Sequence, residues 1–135
     1  ALVRLIEMGV EPYLIRSAVI GVLAQRLVRT NCPHCREVEP VDALMRTNLD
    51  LGPEEVFWRG KGCDHCHGTG FSGRQAIYEL LVMDKQLAER VDVGVSADVY
   101  RDSALASRMF SLPSNGIKLA RTGAVSLAEI YRACM

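Results

Sequence analysis

The feature that most constrains this chain is a doubled Cys-x-x-Cys: Cys32 and Cys35 in "CPHC", then Cys63 and Cys66 in "CDHC". Zinc takes four soft or borderline donors at the corners of a tetrahedron, with sulfur at about 2.3 Å. One Cys-x-x-Cys turn supplies two thiolates, and two such turns close the shell. The segment between them, 36–62, is long for a zinc ribbon and leaves room for an inserted helix. Gly60, Gly62, Gly68 and Gly70 permit the tight backbone that each knuckle needs. The spacing therefore predicts a structural zinc held by Cys32, Cys35, Cys63 and Cys66.

Other chemistries share parts of this pattern. In a reducing compartment, paired cysteines suggest a metal or redox site rather than a disulfide framework. "CPHC" is also an active-site tetrapeptide of thiol–disulfide oxidoreductases, where a helix N-terminus lowers the thiol pKa. Here "REVEPVD" after Cys35 does not read as a helix, and no thioredoxin-like βαβ pattern surrounds it. "CDHCHGTG" matches the repeat of DnaJ-type co-chaperone fingers, which use four copies where this chain has one. Four thiolates can also hold iron. All three histidines, His34, His65 and His67, sit in or beside the knuckles. With four thiolates completing the shell, they read as exposed turn residues. Cys134 reads as a small apolar residue of the last helix, and Trp58 as packing for the cysteine module. Arg26 is the charged residue of most interest outside that module, with a solvent-exposed strand end as its plain reading.

The bulk composition narrows the partners. The 135 residues suffice for roughly one domain, and 49% of them are hydrophobic. Formal net charge is zero, which argues against nucleic acid, since phosphate binding needs a basic face. No apolar run approaches the roughly 20 residues of a membrane span. The opening "ALVRLIEMGVEP" carries Arg4 and Glu7 and does not read as a signal peptide. It also lacks an initiator Met, so the chain reads as a piece of a longer protein.

Along the chain, "ALVRLIEMG" reads as the tail of a helix stopped at Gly9. Pro12 opens a second helix that Gly21 ends, with Tyr13, Leu14, Val19 and Ile20 packing. "VLAQRLVR", 22–29, reads as a buried strand. Asp42 caps a short helix through Met45 and Arg46, and "EVFWR" reads as a strand into the second knuckle. "RQAIYELLVM", 74–83, is a further strand. Helices follow, capped by Asp84 and Ser96, then one with Pro113 near its start and Gly123 at its end. Ser126 and Glu129 have the spacing of a capping box. The chain thus divides into the end of a mixed α/β unit (1–31), a cysteine module (32–83) and a helical tail (84–135).

"RLIEMGVEPYLIRSAVIGVLAQRLVRTNCPHC" with "GCDHCHGTGFSGRQAIYELLVMD" closely resembles the C-terminal part of the type II secretion and type IV pilus assembly ATPases. "SNGIKLARTGAVSLAEI" echoes the tail of that family, so the resemblance covers nearly the whole chain. It implies the α/β C-terminal end of a RecA-like motor domain, then a small zinc-bound tetracysteine module and an α-helical C-terminal tail. The ligands it implies are Cys32, Cys35, Cys63 and Cys66. The parent would be a cytoplasmic homo-hexamer, peripheral to the inner membrane, meeting its neighbouring subunits and platform proteins of the secretion apparatus. ATP and Mg2+ would belong to the full-length parent only. No Gly-x-x-x-x-Gly-Lys-(Ser/Thr) occurs here, so the resemblance places no catalytic or nucleotide-binding residue in this chain. "LAQRLVRTNC" points towards secretion. The chain departs from the family at Arg108-Met109 and at Pro113, Ser114 and Asn115, on a helical surface that faces neighbouring subunits in the family.

Overall fold

The computed structural model describes residues 1–106 and 109–134. Ser107, Arg108 and Met135 lie outside it, and with them the departure noted at Arg108. In chain order the elements are α1 (Leu2–Glu7), α2 (Pro12–Ala18), β1 (Gly21–Asn31), β2 (Arg36–Val38), α3 (Ala43–Asn48) and β3 (Trp58–Gly60). They continue with β4 (Phe71–Val82), α4 (Lys85–Arg90), α5 (Ala97–Ala106), α6 (Leu112–Ala120) and α7 (Leu127–Cys134). β1 pairs with β4 and β2 with β3, giving two separate two-stranded sheets. Two compact units result: Ala1–Ala24 with Tyr78–Ser111, and Gln25–Ile77 with Leu112–Met135. The two long strands each contribute one end to each unit.

In the first unit, α1 stops before Gly9, whose φ of 92° suits a residue without Cβ. Pro12 sits at the first turn of α2, as expected. That helix ends at Ala18 rather than Gly21, because Val19 turns extended (φ −79°, ψ 120°). β-branched Val19 and Ile20 suit that conformation and lead directly into β1. Ile15 is the buried residue of α2, while Tyr13, Leu14 and Ile20, expected to pack, are exposed. Leu2, Ile15, Leu87, Val91 and Tyr100 form the core of this unit. Asp84 caps α4 as its sequence predicts, its carboxylate accepting from the Leu87 amide at 2.7 Å. Arg16 donates to the Val91 carbonyl at 2.6 Å, satisfying the backbone where α4 ends.

β1 is longer than the expected 22–29 and is not a buried strand. Val28 is fully enclosed, but Leu23 and Leu27 are 62% and 56% exposed. Burying both faces of a strand takes covering layers that a two-stranded ribbon lacks. Arg26 lies mid-strand rather than at a strand end.

The second unit has its core at Val28, Phe57, Ile77, Ile117, Val125, Leu127 and Ile130, among others. The strand expected at 55–59 is shorter and shifted, because Phe57 turns into the core. Trp58–Gly60 pairs antiparallel with β2, Arg36 opposite Gly60 and Val38 opposite Trp58. Trp58 is half-buried, with the Arg36 guanidinium 5.4 Å from its ring centre. Asp42 caps α3 through the Met45 amide at 2.6 Å. The α6–α7 pair packs closely, with Gly116 against Ile130.

The capping box at α7 forms by half. The Ser126 hydroxyl accepts from the Glu129 amide at 3.1 Å. Glu129 does not reach back. Its carboxylate, 1% exposed, instead accepts from the Arg29 Nε and Nη2 at 3.1 and 2.7 Å and from the Arg29 amide at 3.0 Å. Arg132 adds bonds of 3.0 and 2.6 Å. Arg29 also lies over the Phe71 ring at 4.0 Å. Burial alone would raise the Glu129 pKa, but the hydrogen bonds from Arg132 and Arg29 outweigh it and hold the carboxyl at about 2.

Two outcomes follow. A carboxyl depressed from 4.5 to about 2 contributes stability above its unfolded pKa and loses it as pH falls through 2. Glu129→Gln should cost about 2 kcal/mol at pH 7, between values for exposed and buried pairs because both arginines are partly solvated. In acid titrations of the two proteins that gap should narrow between pH 4.5 and 2. At Gly116, a Cβ would lie 2.7 Å from Ile130 Cγ2 and 3.0 Å from Cδ1. Overpacking costs about 1–3 kcal/mol, against a gain in helix propensity of about 1. Gly116→Ala should therefore lower the melting temperature despite adding a better helix former.

Candidate metal centre

Both knuckles are set by backbone before any metal is considered. β1 delivers Cys32, whose amide donates to the Gly70 carbonyl at 2.9 Å. β2 begins directly after Cys35, so the "CPHC" turn lies between two strands and not at a helix N-terminus. The oxidoreductase arrangement that would lower a thiol pKa is absent at this pair. On the other side, Gly62 (φ 107°) leads into Cys63, and a single 3-10 turn spans Asp64–Cys66. His67 then adopts the left-handed conformation (φ 54°), and the Gly68 amide donates to the Cys63 carbonyl at 2.8 Å.

The two arms of the second knuckle close on each other where glycines leave no side chain between them, and the first knuckle joins them through the Lys61 amide donating to the Cys35 carbonyl at 3.0 Å. A Cβ on Gly60 would stand 1.8 Å from the Gly70 carbonyl oxygen, so these backbones touch. Amides then point at sulfur: Gly62 to Cys35 at 3.2 Å, and Cys63 and Gly70 to Cys66 at 3.2 and 3.1 Å. N–H groups aimed at sulfur favour the thiolate, the form that binds metal.

All four Sγ atoms lie within 4.8 Å of one another. The separations are 3.8 Å for Cys32–Cys63, 3.8 Å for Cys35–Cys66 and 3.7 Å for Cys63–Cys66. A regular tetrahedron with sulfur at about 2.3 Å from its centre has edges of about 3.8 Å. The donor set therefore has the spacing of a closed tetrathiolate shell. A disulfide needs about 2.05 Å, and the cysteines are free thiols. Without a metal the four sulfurs perturb one another. Desolvation pushes the Cys35 thiol up to about 11. At Cys66 desolvation also raises the pKa, but the amides of Cys63 and Gly70 and the neighbouring thiols bring it down to about 6.

The histidines stay outside the cluster. His34, His65 and His67 are exposed, as their sequence context predicts. What that context misses is that His34 and His65 stack, ring centres 3.9 Å apart and planes 17° from parallel. The available signal is positional: each is the third residue of its Cys-x-x-Cys, and a shared metal brings equivalent positions together. Cys134 is half-buried against the core of the second unit and takes no part. Arg26 is exposed, and its side chain makes no hydrogen bond or ion pair among the described residues. The residues the sequence reading missed are Asn31 and Glu39, buried polar groups on either side of the first knuckle.

Comparison with known proteins gives one consistent result. Residues 1–132 match the family model described as Type II/IV secretion system protein. The chain is 42% identical over 135 residues to the type IV pilus assembly ATPase PilB of Thermus thermophilus, a match covering 96% of this chain and 15% of that protein. It is 37% identical to the type II secretion system protein E of Aeromonas hydrophila, covering 98% of this chain and 26% of the relative. A third relative, the type II secretion system protein HxcR of Pseudomonas aeruginosa, is 41% identical, with 98% and 25% covered. The chain thus spans between 15% and 26% of the length of these relatives.

The Gly60–Gly70 contact generates a direct test. Gly60→Ala places a methyl on backbone that has no rotamer to yield, so the arms of the second knuckle must part and the Gly70 carbonyl must leave the Cys32 amide. Titrated with cobalt(II), the native chain should give the intense thiolate-to-cobalt charge-transfer absorption of a tetrathiolate. Gly60→Ala should lose most of that absorption while all four cysteines remain.

Proposed function

The chain belongs to the type II/IV secretion system protein family, and on that premise we propose that it is the zinc-binding C-terminal segment of an ATPase that powers protein secretion or type IV pilus assembly. Relatives of both kinds match at 42% and 41%, so neither role is preferred. In this reading residues 1–31 complete a RecA-like motor domain, 32–83 form the zinc module, and 84–135 form the C-terminal helical part. Cys32, Cys35, Cys63 and Cys66 would hold one structural zinc, which would supply folding energy and no catalytic step. The observation that carries this is the sulfur spacing, 3.7–3.8 Å for Cys32–Cys63, Cys35–Cys66 and Cys63–Cys66.

The wider role follows from the family. The parent would act as a cytoplasmic homo-hexamer at the inner membrane, touching neighbouring subunits and the secretion platform. No helix among the described residues is long and apolar enough to cross a membrane. ATP and Mg2+ would be bound by upstream residues, because a phosphate loop with its Lys and Ser/Thr is what cradles them.

Elemental analysis of the purified chain should return one zinc per chain. Cys63→Ser should lose most of that zinc together with the thermal unfolding transition of the second unit. A metal-free chain with unchanged melting, or iron in place of zinc, would refute the assignment. The chain alone should release no phosphate from ATP, and turnover by a rigorously purified sample would contradict its placement outside the catalytic part of the motor.

A further inference from the structure

The buried polar residues of the second unit, Asn31, Glu39, Ser126 and Glu129, converge on one place, the corner between α6 and α7. Asn31, directly before Cys32, donates its amide to the Ala124 carbonyl at 2.8 Å. Its side-chain Nδ2 donates to the Gly123 carbonyl at 3.1 Å and to the Trp58 carbonyl at 3.0 Å. One side chain thus joins the strand into the first knuckle, the strand towards the second, and the corner. Gly123 (φ 83°) is pressed into this junction, since a Cβ there would lie 3.0 Å from Arg36 Nη1 and 3.1 Å from Trp58 Cδ1.

Two carboxylates hold α7 behind the corner. Glu39, 7% exposed, accepts from the first amides of α7, Leu127 at 2.8 Å and Ala128 at 3.0 Å. Its own amide donates to the Phe57 carbonyl at 2.8 Å, one residue before β3 begins. Glu129 binds Arg29, two residues before Asn31. Neither carboxylate is near enough to serve as a ligand, yet each ties α7 to a strand that carries a knuckle.

We propose that the α6–α7 corner is a clamp on the tetrathiolate site, so that metal binding and docking of α7 are thermodynamically coupled through Asn31, Glu39 and Glu129. The inference rests on the zinc reading above. The clamp fixes how far apart β1 and the β2–β3 hairpin stand, and that distance sets the spacing of the two knuckles. Coupling of this kind is reciprocal: whatever factor α7 docking adds to zinc affinity, zinc adds to α7 docking. A load applied to the C-terminal helix is then felt at the metal module.

The test uses the chain with its metal. Zinc affinity is measured by competition with a chromophoric chelator for the native chain, Glu39→Gln, Glu129→Gln and the control Arg4→Ala, whose exposed pair with Glu7 belongs to the first unit. Coupling between two sites typically amounts to about 5–150-fold, so each glutamine variant should weaken zinc by about fivefold or more. The control should stay within about twofold. In parallel, hydrogen exchange is followed across 123–130 with and without chelator. Removing zinc from the native chain should speed exchange there, and this arm decides even if a variant does not fold. Folded glutamine variants with unchanged zinc affinity, or equal protection of 123–130 in the two states, would overturn the coupling alone. A chain that binds no zinc would overturn the metal reading and the coupling together.

Discussion

The second unit depends on four sulfurs held about one tetrahedral edge apart. Its hairpin strands, Arg36–Val38 and Trp58–Gly60, have three residues each, far too few to stand as an isolated hairpin. Between the two Cys pairs lies a loop that must be closed before Phe57 and Leu51 can reach the core. A metal that binds only the closed form adds its binding free energy to folding. Bringing four thiols together without it leaves Cys35 and Cys66 with pKa values displaced in opposite directions, to about 11 and about 6. It is the separation of 3.7–3.8 Å between sulfurs that spaces the cluster for a cation.

The cysteine cluster is not the only staple. Glu39 and Glu129 are buried carboxylates, and each is fully engaged by donors from elements distant in sequence. Burying a charge is costly unless it is paired and hydrogen-bonded. These two satisfy that condition by binding α7, one at its N-terminal amides and one from its first turn. The unit is therefore tied at one end by sulfur and at the other by carboxylates, with Asn31 between them.

Local chemistry was readable from the sequence, and long-range chemistry was not. The Asp42 and Asp84 caps, the stops at Gly9 and Gly123 and the paired knuckles all depend on neighbours a few residues away, and all are present. Glu129 is instructive because its spacing from Ser126 was read correctly and its role was not. The capping box competes with Arg29, 100 residues earlier, and a bidentate guanidinium outbids a single amide. Tyr13, Leu14, Ile20 and much of β1 stand exposed although they are apolar, since hydrophobicity does not say which faces a partner will cover. Glu39 carries no local signal at all: in "REVEP" it looks like one more solvated acid.

The central claim is that four cysteines from two knuckles hold a single zinc. X-ray absorption at the zinc edge of the purified chain tests it most directly, because it counts donors and measures their distance. The account predicts four sulfurs in one shell at about 2.3 Å, with no nitrogen or oxygen donor. A mixed shell containing nitrogen at about 2.0–2.1 Å would bring a histidine into the site and contradict it.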